Sequence, residues 1–489
     1  MPRTDWFQKW ARYSPHKMAV NSPLDKRSYT YLELHQKGEA LAQYLYHEKG
    51  LRKGDRLAVL ADFDLNYILL FAALQKLGFV LVPLNYRLTT RELEHLLKDS
   101  EPALLIYQSQ FLAKVEAVRS HYAHADWSEL EQWVQGPRQS FPLTEHPDFE
   151  DAAFILYTSG STGLPKGALY THQMMFWNSV NTALRLSITQ ADHTLMVMPP
   201  FHAGGWNVLT TPLLHVGGSV SLLPRFEPDL VLNLIEEEQV TIFMAVPTMV
   251  RMLTESPLFD KISLKSLRNF VVGGEALAIP LIEQWAAKKV LIRQGYGLTE
   301  VGTNVTSLPA EDAIRKRGSI GFPNFYLETK LVKEDGTEAG VNEIGELWLK
   351  GPVVTPGYWR LPEATAKSFE GPWFKTGDLL REDEEGYLYV VDRIKNMFIS
   401  GGENVYPAEV EAFLIDHPDI VEVAVVGIPD PQWGEVGKAV YVAAQEIPTA
   451  ELKEYCQGGL ARYKVPKQFV WMAELPKTDS GKIDKKNLR

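Results

Sequence analysis

A chain of 489 residues exceeds what one hydrophobic core supports, because single cores stop growing at roughly 250 to 300 residues, so at least two domains are expected. With 45% hydrophobic and 23% charged residues, the chain can fill those cores and is not a disordered polymer. The formal net charge of −11 argues against a nucleic-acid partner, and the single cysteine, Cys456, excludes an internal disulfide and any multi-cysteine zinc site.

In chain order, the first residues, Met1-Pro2-Arg3-Thr4-Asp5-Trp6, lack the apolar core of an export signal, and with the cysteine usage this fits a cytoplasmic setting. Leu65 to Leu88 is the most apolar long stretch. Asn66, Gln75, Lys76, Gly78 and Asn85 interrupt it, so it reads as a buried helix feeding a strand rather than a membrane span. Asp64 is placed to cap that helix, Leu65, Ile68, Leu69 and Ala72 recur at helical spacing, and Gly78 marks its end. Phe79–Pro83 then reads as a strand, followed by apolar runs at 103–107, 154–157, 194–198, 219–223, 241–246 and 269–272. Short strands between longer helical segments predict an α/β fold with largely parallel sheets. From Leu327 the pattern turns to alternating strands joined by turns, predicting a small β subdomain. Beyond Arg393, a helix opened by Pro407, strands at 421–426 and 439–443, and a helix at 450–460 predict a separate α+β domain. The expected division is 1–392 and 393–489.

The strand ending at Tyr157 runs into Thr158-Ser159-Gly160-Ser161-Thr162-Gly163-Leu164-Pro165-Lys166-Gly167. Glycines admit backbone N–H groups close to an anion, hydroxyls donate to phosphate oxygens, and a lysine adds a compact positive charge. Taken alone, a Gly/Ser run is more often a flexible linker. A Walker A loop is excluded, since that motif needs Gly before and Ser/Thr after the lysine, where Pro165 and Gly167 stand. The loop instead resembles the phosphate loop of the adenylate-forming superfamily, whose members include acyl-CoA synthetases, luciferases and peptide-synthetase adenylation domains.

Further motifs follow in that superfamily's order. Met198-Pro199-Pro200-Phe201-His202-Ala203-Gly204-Gly205-Trp206 resembles its aromatic motif, which implies that His202 lies between acyl carboxylate and nucleotide. Gly273-Gly274-Glu275 and Gly295-Tyr296-Gly297-Leu298-Thr299-Glu300 each follow a predicted strand end, where open α/β sheets bind ligands. The resemblance implies that Tyr296 flanks adenine, Thr299 reaches phosphate and Glu300 helps hold Mg²⁺; taken singly, Tyr296 would equally be core packing. Asp378 in Thr376-Gly377-Asp378 resembles the ribose-binding carboxylate, and Arg393 the nucleotide-contacting arginine. Lys482 matches the catalytic lysine of the C-terminal domain, Lys395 its hinge position, and Gly401 and Gly402 a loop lining the pantetheine tunnel. Asn396 departs from the acid that many relatives carry there. Trp433 and Tyr463 match aromatic positions near coenzyme A in some relatives.

The implied reaction joins a carboxylic acid to ATP, releasing pyrophosphate, and then passes the acyl group to coenzyme A, releasing AMP. A carboxylate is already ionised near neutrality, so no general base is needed; the obstacle is anion repulsion, which Lys166, Lys482 and Mg²⁺ would offset. A swing of the small domain between the two steps is expected. Trp206 resembles a gate in long-chain fatty acyl-CoA synthetases, and Gly204, Gly205, Gly273, Gly274 and Gly297 leave room without polarity, favouring a medium- or long-chain fatty acid. An aryl acid such as a benzoate, cinnamate or succinylbenzoate, or loading of a carrier protein, is the alternative. Expected partners are small molecules, with a homodimer left open and no nucleic acid or membrane span.

Overall fold

The computed structural model describes residues 4–135, 139–158, 165–478 and 482–489, the side chain of Leu143 excepted. By internal contacts the chain divides into Met1–Glu328 with Leu349–Phe374, and Thr329–Trp348 with Lys375–Arg489. Strands 329–332, 344–348 and 375–393 thus group with the C-terminal residues.

In the first unit, a six-stranded sheet runs in the order His124–Asp126, Leu104–Tyr107, Arg56–Leu60, Val80–Pro83, Ala152–Thr158, Lys166–Thr171. Every neighbouring pair is parallel except the last. The side-chain alternation of the pleat supplies two cores: Leu57, Val59, Leu81 and Phe154 enter one, Ala58, Leu60, Val82 and Ile155 the other. The helix Leu65–Leu77 covers the first face and is buried along its whole length, while Thr90–Ser100 covers the second through Leu93, Leu96 and Leu97. Asp64 accepts a hydrogen bond from the Asn66 amide at the helix start, and Gly78 ends it at φ 72°. The interrupting polar residues do structural work: Lys76 pairs with Asp5 at 2.6 Å, and Gln75 accepts from the Trp6 amide, tying down helix Trp6–Tyr13. No helix among the described residues is long and apolar enough to cross a membrane.

Two further sheets complete this unit. One orders Arg27–Thr30, Met18–Ser22, Ser219–Leu222 and His193–Met196; the other aligns Ile242–Ala245, Asn269–Val272 and Ile292–Tyr296 in parallel before two short antiparallel strands. A separate core around Phe243, Phe270 and Trp285 packs on the latter.

The second unit is mostly antiparallel. Its strands Ile420–Asp430 and Gly434–Ala443 are longer than expected at 421–426 and 439–443, because Gly427-Ile428-Pro429-Asp430 extends the hairpin where glycine and proline suggest a turn. Helix Pro407–Ile415 starts at the expected proline, and Thr449–Gln457 stops before Gly458-Gly459, three residues early.

Candidate functional site

Thr158 ends one strand and Lys166 begins the next, and the two residues face each other across the antiparallel pair. The loop is therefore a hairpin rather than a strand-to-helix turn. Ser159, Gly160, Ser161, Thr162, Gly163 and Leu164 lie outside the described residues. Glu300 sits on the short turn Thr299–Val301, after strand Ile292–Tyr296, and is only 9% exposed. Its carboxylate Oε1 accepts from the Tyr358 hydroxyl at 3.0 Å and, at the limit of hydrogen-bond length, from the Thr158 hydroxyl at 3.5 Å. The Lys166 ammonium stands 5.3 Å from the centre of the Tyr358 ring. Thr158, Lys166 and Glu300, up to 142 residues apart, thus meet around one tyrosine.

Tyr358 is the residue that sequence reasoning missed. It stands 58 residues from Glu300, in Thr355-Pro356-Gly357-Tyr358-Trp359, where no spacing rule marks it. One local signal exists: Gly357 has φ 143°, and a Cβ there would lie 2.6 Å from the Thr365 hydroxyl, the mark of a forced close approach.

Gly273 and Gly274 follow strand Asn269–Val272 as expected, with Gly274 at φ 91° and Glu275 exposed. Tyr296, Gly297 and Thr299 are partly buried along the turn that leads to Glu300. Three of the expected glycines, Gly205, Gly273 and Gly297, do not leave room for a substrate tail. A Cβ would lie 1.9 Å from the Thr303 carbonyl oxygen at Gly297, 2.5 Å from that of Pro199 at Gly205 and 3.1 Å from that of Gly295 at Gly273, so these positions are close chain crossings. Gly204 by contrast has ordinary clearance, 3.9 Å from the Met198 and Met244 methyls.

His202 precedes helix Ala203–Asn207 and packs on Phe201 with ring centres 4.6 Å apart. Trp206, expected as an aromatic gate, lies wholly in the core. Its ring is fully buried among Phe63, Tyr67, Phe71 and Phe154, and its indole N–H donates to the Pro200 carbonyl at 2.8 Å. Aromatic packing and a satisfied N–H hold it in the core.

In the second unit, Asp378 and Arg393 are partners on adjacent strands, joined at 2.8 Å, with the carboxylate buried and the guanidinium half exposed. Burial first, then Arg393, Lys486 and Lys482, depresses the Lys395 ammonium, while Asp378 opposes the shift. Lys395, Arg393 and Lys482 therefore share one electrostatic neighbourhood. Lys482 does not lie on a frayed tail. The Thr478 amide donates to its carbonyl at 2.6 Å, Lys477 pairs with Glu422 at 3.1 Å, and Lys485 pairs with Glu411 at 2.6 Å. Leu475 and Leu488 are buried against Ala424, Val426 and Val440 of the long hairpin. Gly401, at φ 62°, donates its amide to the Trp433 carbonyl, and a Cβ there would meet the Trp433 ring at 2.8 Å, so these two coenzyme A candidates are brought together. Trp433 and Tyr463 are 44% and 38% exposed, unlike core aromatics, and Gly402, at φ 89°, stands in open space.

Two sites could invite a metal. Glu300 and Thr158 offer oxygen donors, the set a hard cation such as Mg²⁺ takes, so Glu300 could hold it. His417, Asp419 and Glu451 also cluster, but the Asp419 amide donates to His417 Nδ1 at 3.2 Å. The proton then resides on Nε2, facing Glu451 as a donor rather than a ligand.

Residues 7–359 match the family model described as AMP-binding enzyme, and residues 409–482 match the AMP-binding enzyme C-terminal domain. The chain belongs to the AMP-binding enzyme family. It is 38% identical to a feruloyl-CoA synthase of an Amycolatopsis species over 99% of this chain and 98% of that protein. It is 36% identical to the long-chain-fatty-acid–CoA ligase FadD13 of Mycobacterium tuberculosis, over 98% and 96%. The solved O-succinylbenzoate coenzyme A synthetase of Bacillus subtilis, in complex with ATP and magnesium ion, superposes with a TM-score of 0.88 at 33% identity over 98% of each chain. This AMP-binding enzyme is an acid–thiol ligase of the AMP-forming class, with ATP and Mg²⁺ as its nucleotide and metal and coenzyme A as the acyl acceptor.

Proposed function

We propose that the enzyme activates an aryl or arylalkyl acid of hydroxycinnamate size, with a medium- or long-chain fatty acid as the second reading. The observation that carries this choice is the burial of Trp206. Phe63, Tyr67, Phe71 and Phe154 pack around its ring, so a long chain would have to displace that aromatic cluster, whereas a short flat acid would not. The Met198 and Met244 methyls beside Gly204 supply an apolar surface suited to a ring. The relative named for feruloyl-CoA supports the first reading and the one named for long-chain fatty acids the second.

In the first step a carboxylate oxygen attacks the α-phosphorus of ATP and pyrophosphate leaves. Lys166 and Lys482 neutralise the charge that spreads between the two anions, Tyr296, Gly273, Gly274 and Glu275 frame the base, Thr299 reaches a phosphate oxygen, and Asp378 with Arg393 takes the ribose. Glu300 would hold Mg²⁺, which would supply Lewis-acid charge neutralisation at the phosphates. In the second step the sulfur of coenzyme A attacks the acyl carbonyl, its proton is lost and AMP leaves. A rotation of the backbone near Lys395, the expected hinge, would replace Lys482 at the carbonyl by the Gly401–Gly402 loop. Release of AMP, measured with coenzyme A across fatty acids graded by length and a set of aryl acids, tests the choice. Highest kcat/KM for a cinnamate-type acid is expected; a steady rise of kcat/KM with fatty chain length would replace the first reading by the second.

A further inference from the structure

We propose that Tyr358 is a positioning residue of the adenylation site: its hydroxyl fixes the Glu300 carboxylate and its ring seats the Lys166 ammonium, presetting both groups before substrate arrives. This rests on the roles proposed above for Glu300 and Lys166.

The contacts are made by two separate parts of one side chain. The phenol oxygen lies 3.0 Å from Glu300 Oε1, and the ring centre 5.3 Å from Lys166 Nζ. A phenol hydroxyl donates to a carboxylate oxygen, and at 3.0 Å this contact has ordinary hydrogen-bond length. A cation near an aromatic face is attracted by the ring quadrupole.

The backbone around Tyr358 is held as firmly as its side chain. The Thr355 amide donates to the Glu300 carbonyl at 2.8 Å, and the Trp359 amide to the Gly167 carbonyl at 2.8 Å. The Leu169 amide donates to the Gly357 carbonyl at 3.1 Å, the Thr355 hydroxyl to the Leu169 carbonyl at 2.7 Å, and the Tyr358 amide to the Thr365 hydroxyl at 2.9 Å. Residues 355–359 thus form a strap that joins the turn bearing Glu300 to the strand bearing Lys166. A group that must meet a cation and a group that must meet phosphate are kept in register by a residue that need touch neither ligand.

The two contacts separate by substitution. Tyr358→Phe keeps the ring and loses the donor to Glu300; Tyr358→Leu loses both. Binding of Mn²⁺ to the enzyme–ATP complex, followed by loss of the free-ion EPR signal, should weaken about tenfold in Tyr358→Phe, the size of a charge-assisted hydrogen bond. ATP–pyrophosphate exchange should need correspondingly more Mg²⁺. Tyr358→Leu should in addition weaken metal-free ATP binding about threefold. In both variants thioester formation from supplied acyl-adenylate should stay within about twofold of the parent, which also reports that the variant is folded. Wild-type Mn²⁺ affinity in Tyr358→Phe, or equal loss of both half-reactions with a lowered Tm, would overturn the assignment. Absence of exchange in the unaltered enzyme with every acid tried would instead remove the adenylation roles, and this inference with them.

Discussion

The region around Glu300 and the region around Lys482 are held by different physics. At Glu300 a buried carboxylate is fixed by a phenol, a threonine and close backbone crossings, all inside a unit whose cores are dense with aromatic rings. At Lys482 the segment is held at its flanks by ion pairs, Lys477 with Glu422 and Lys485 with Glu411, over a small apolar face. Close packing gives one rigid geometry, as a phosphate site needs. Charge pairs that flank a lysine hold its segment while leaving the residue itself near enough to Lys395 to help lower that ammonium's pKa.

This contrast can be broken most forcefully at Trp206. If the first unit depends on packing, Trp206→Ala should cost about 3 to 5 kcal/mol of its stability, read by denaturant unfolding, without widening the accepted acids toward longer chains. A gain in long-chain activity with little loss of stability would return Trp206 to the role of a gate.

The next effect is one of pH. Burial holds the His172 imidazole down to about 4 from its ordinary 6.5, and His215 likewise. A depressed histidine contributes stability that is complete above its unfolded value and is lost as pH falls toward its folded one. His172 alone should therefore withdraw about 3 kcal/mol between pH 6.5 and 4. Glu411 behaves oppositely: burial outweighs its pairing with Lys485 and raises its carboxyl, so this group's contribution to the second unit falls as pH rises through the carboxylate range rather than on acidification. Melting followed with probes in each unit should show the first unit losing stability ahead of the second in mild acid, and His172→Leu should flatten that slope. An unchanged slope would contradict the assignment.

The smallest expected effect is at the proposed hinge. Lys395→Pro should slow thioester formation about tenfold or more by restricting backbone rotation, while pyrophosphate exchange stays within about threefold. Unchanged overall turnover would remove Lys395 from that role.

Much of this was legible in the chain. Asp64 and Gly78 bracket their helix because capping chemistry is local, and alternating apolar residues mark strands for the same reason. Gly205, Gly273 and Gly297 misled because glycine means either space or close approach, and only the neighbouring backbone distinguishes the two. At Trp206 the sequence shows the ring but not the four aromatic partners around it. Tyr358, Glu411 and Glu422 were invisible because their partners come from distant segments brought together by folding.

Lys482 is proposed to serve adenylate formation and not thioester formation. Single-turnover rates of the two half-reactions in Lys482→Ala test it most directly. Acyl-adenylate formation from acid and ATP should fall by roughly 10² to 10³, the scale of one lost electrostatic stabiliser, while thioester formation from supplied acyl-adenylate stays within about twofold. Equal losses in both half-reactions would contradict it.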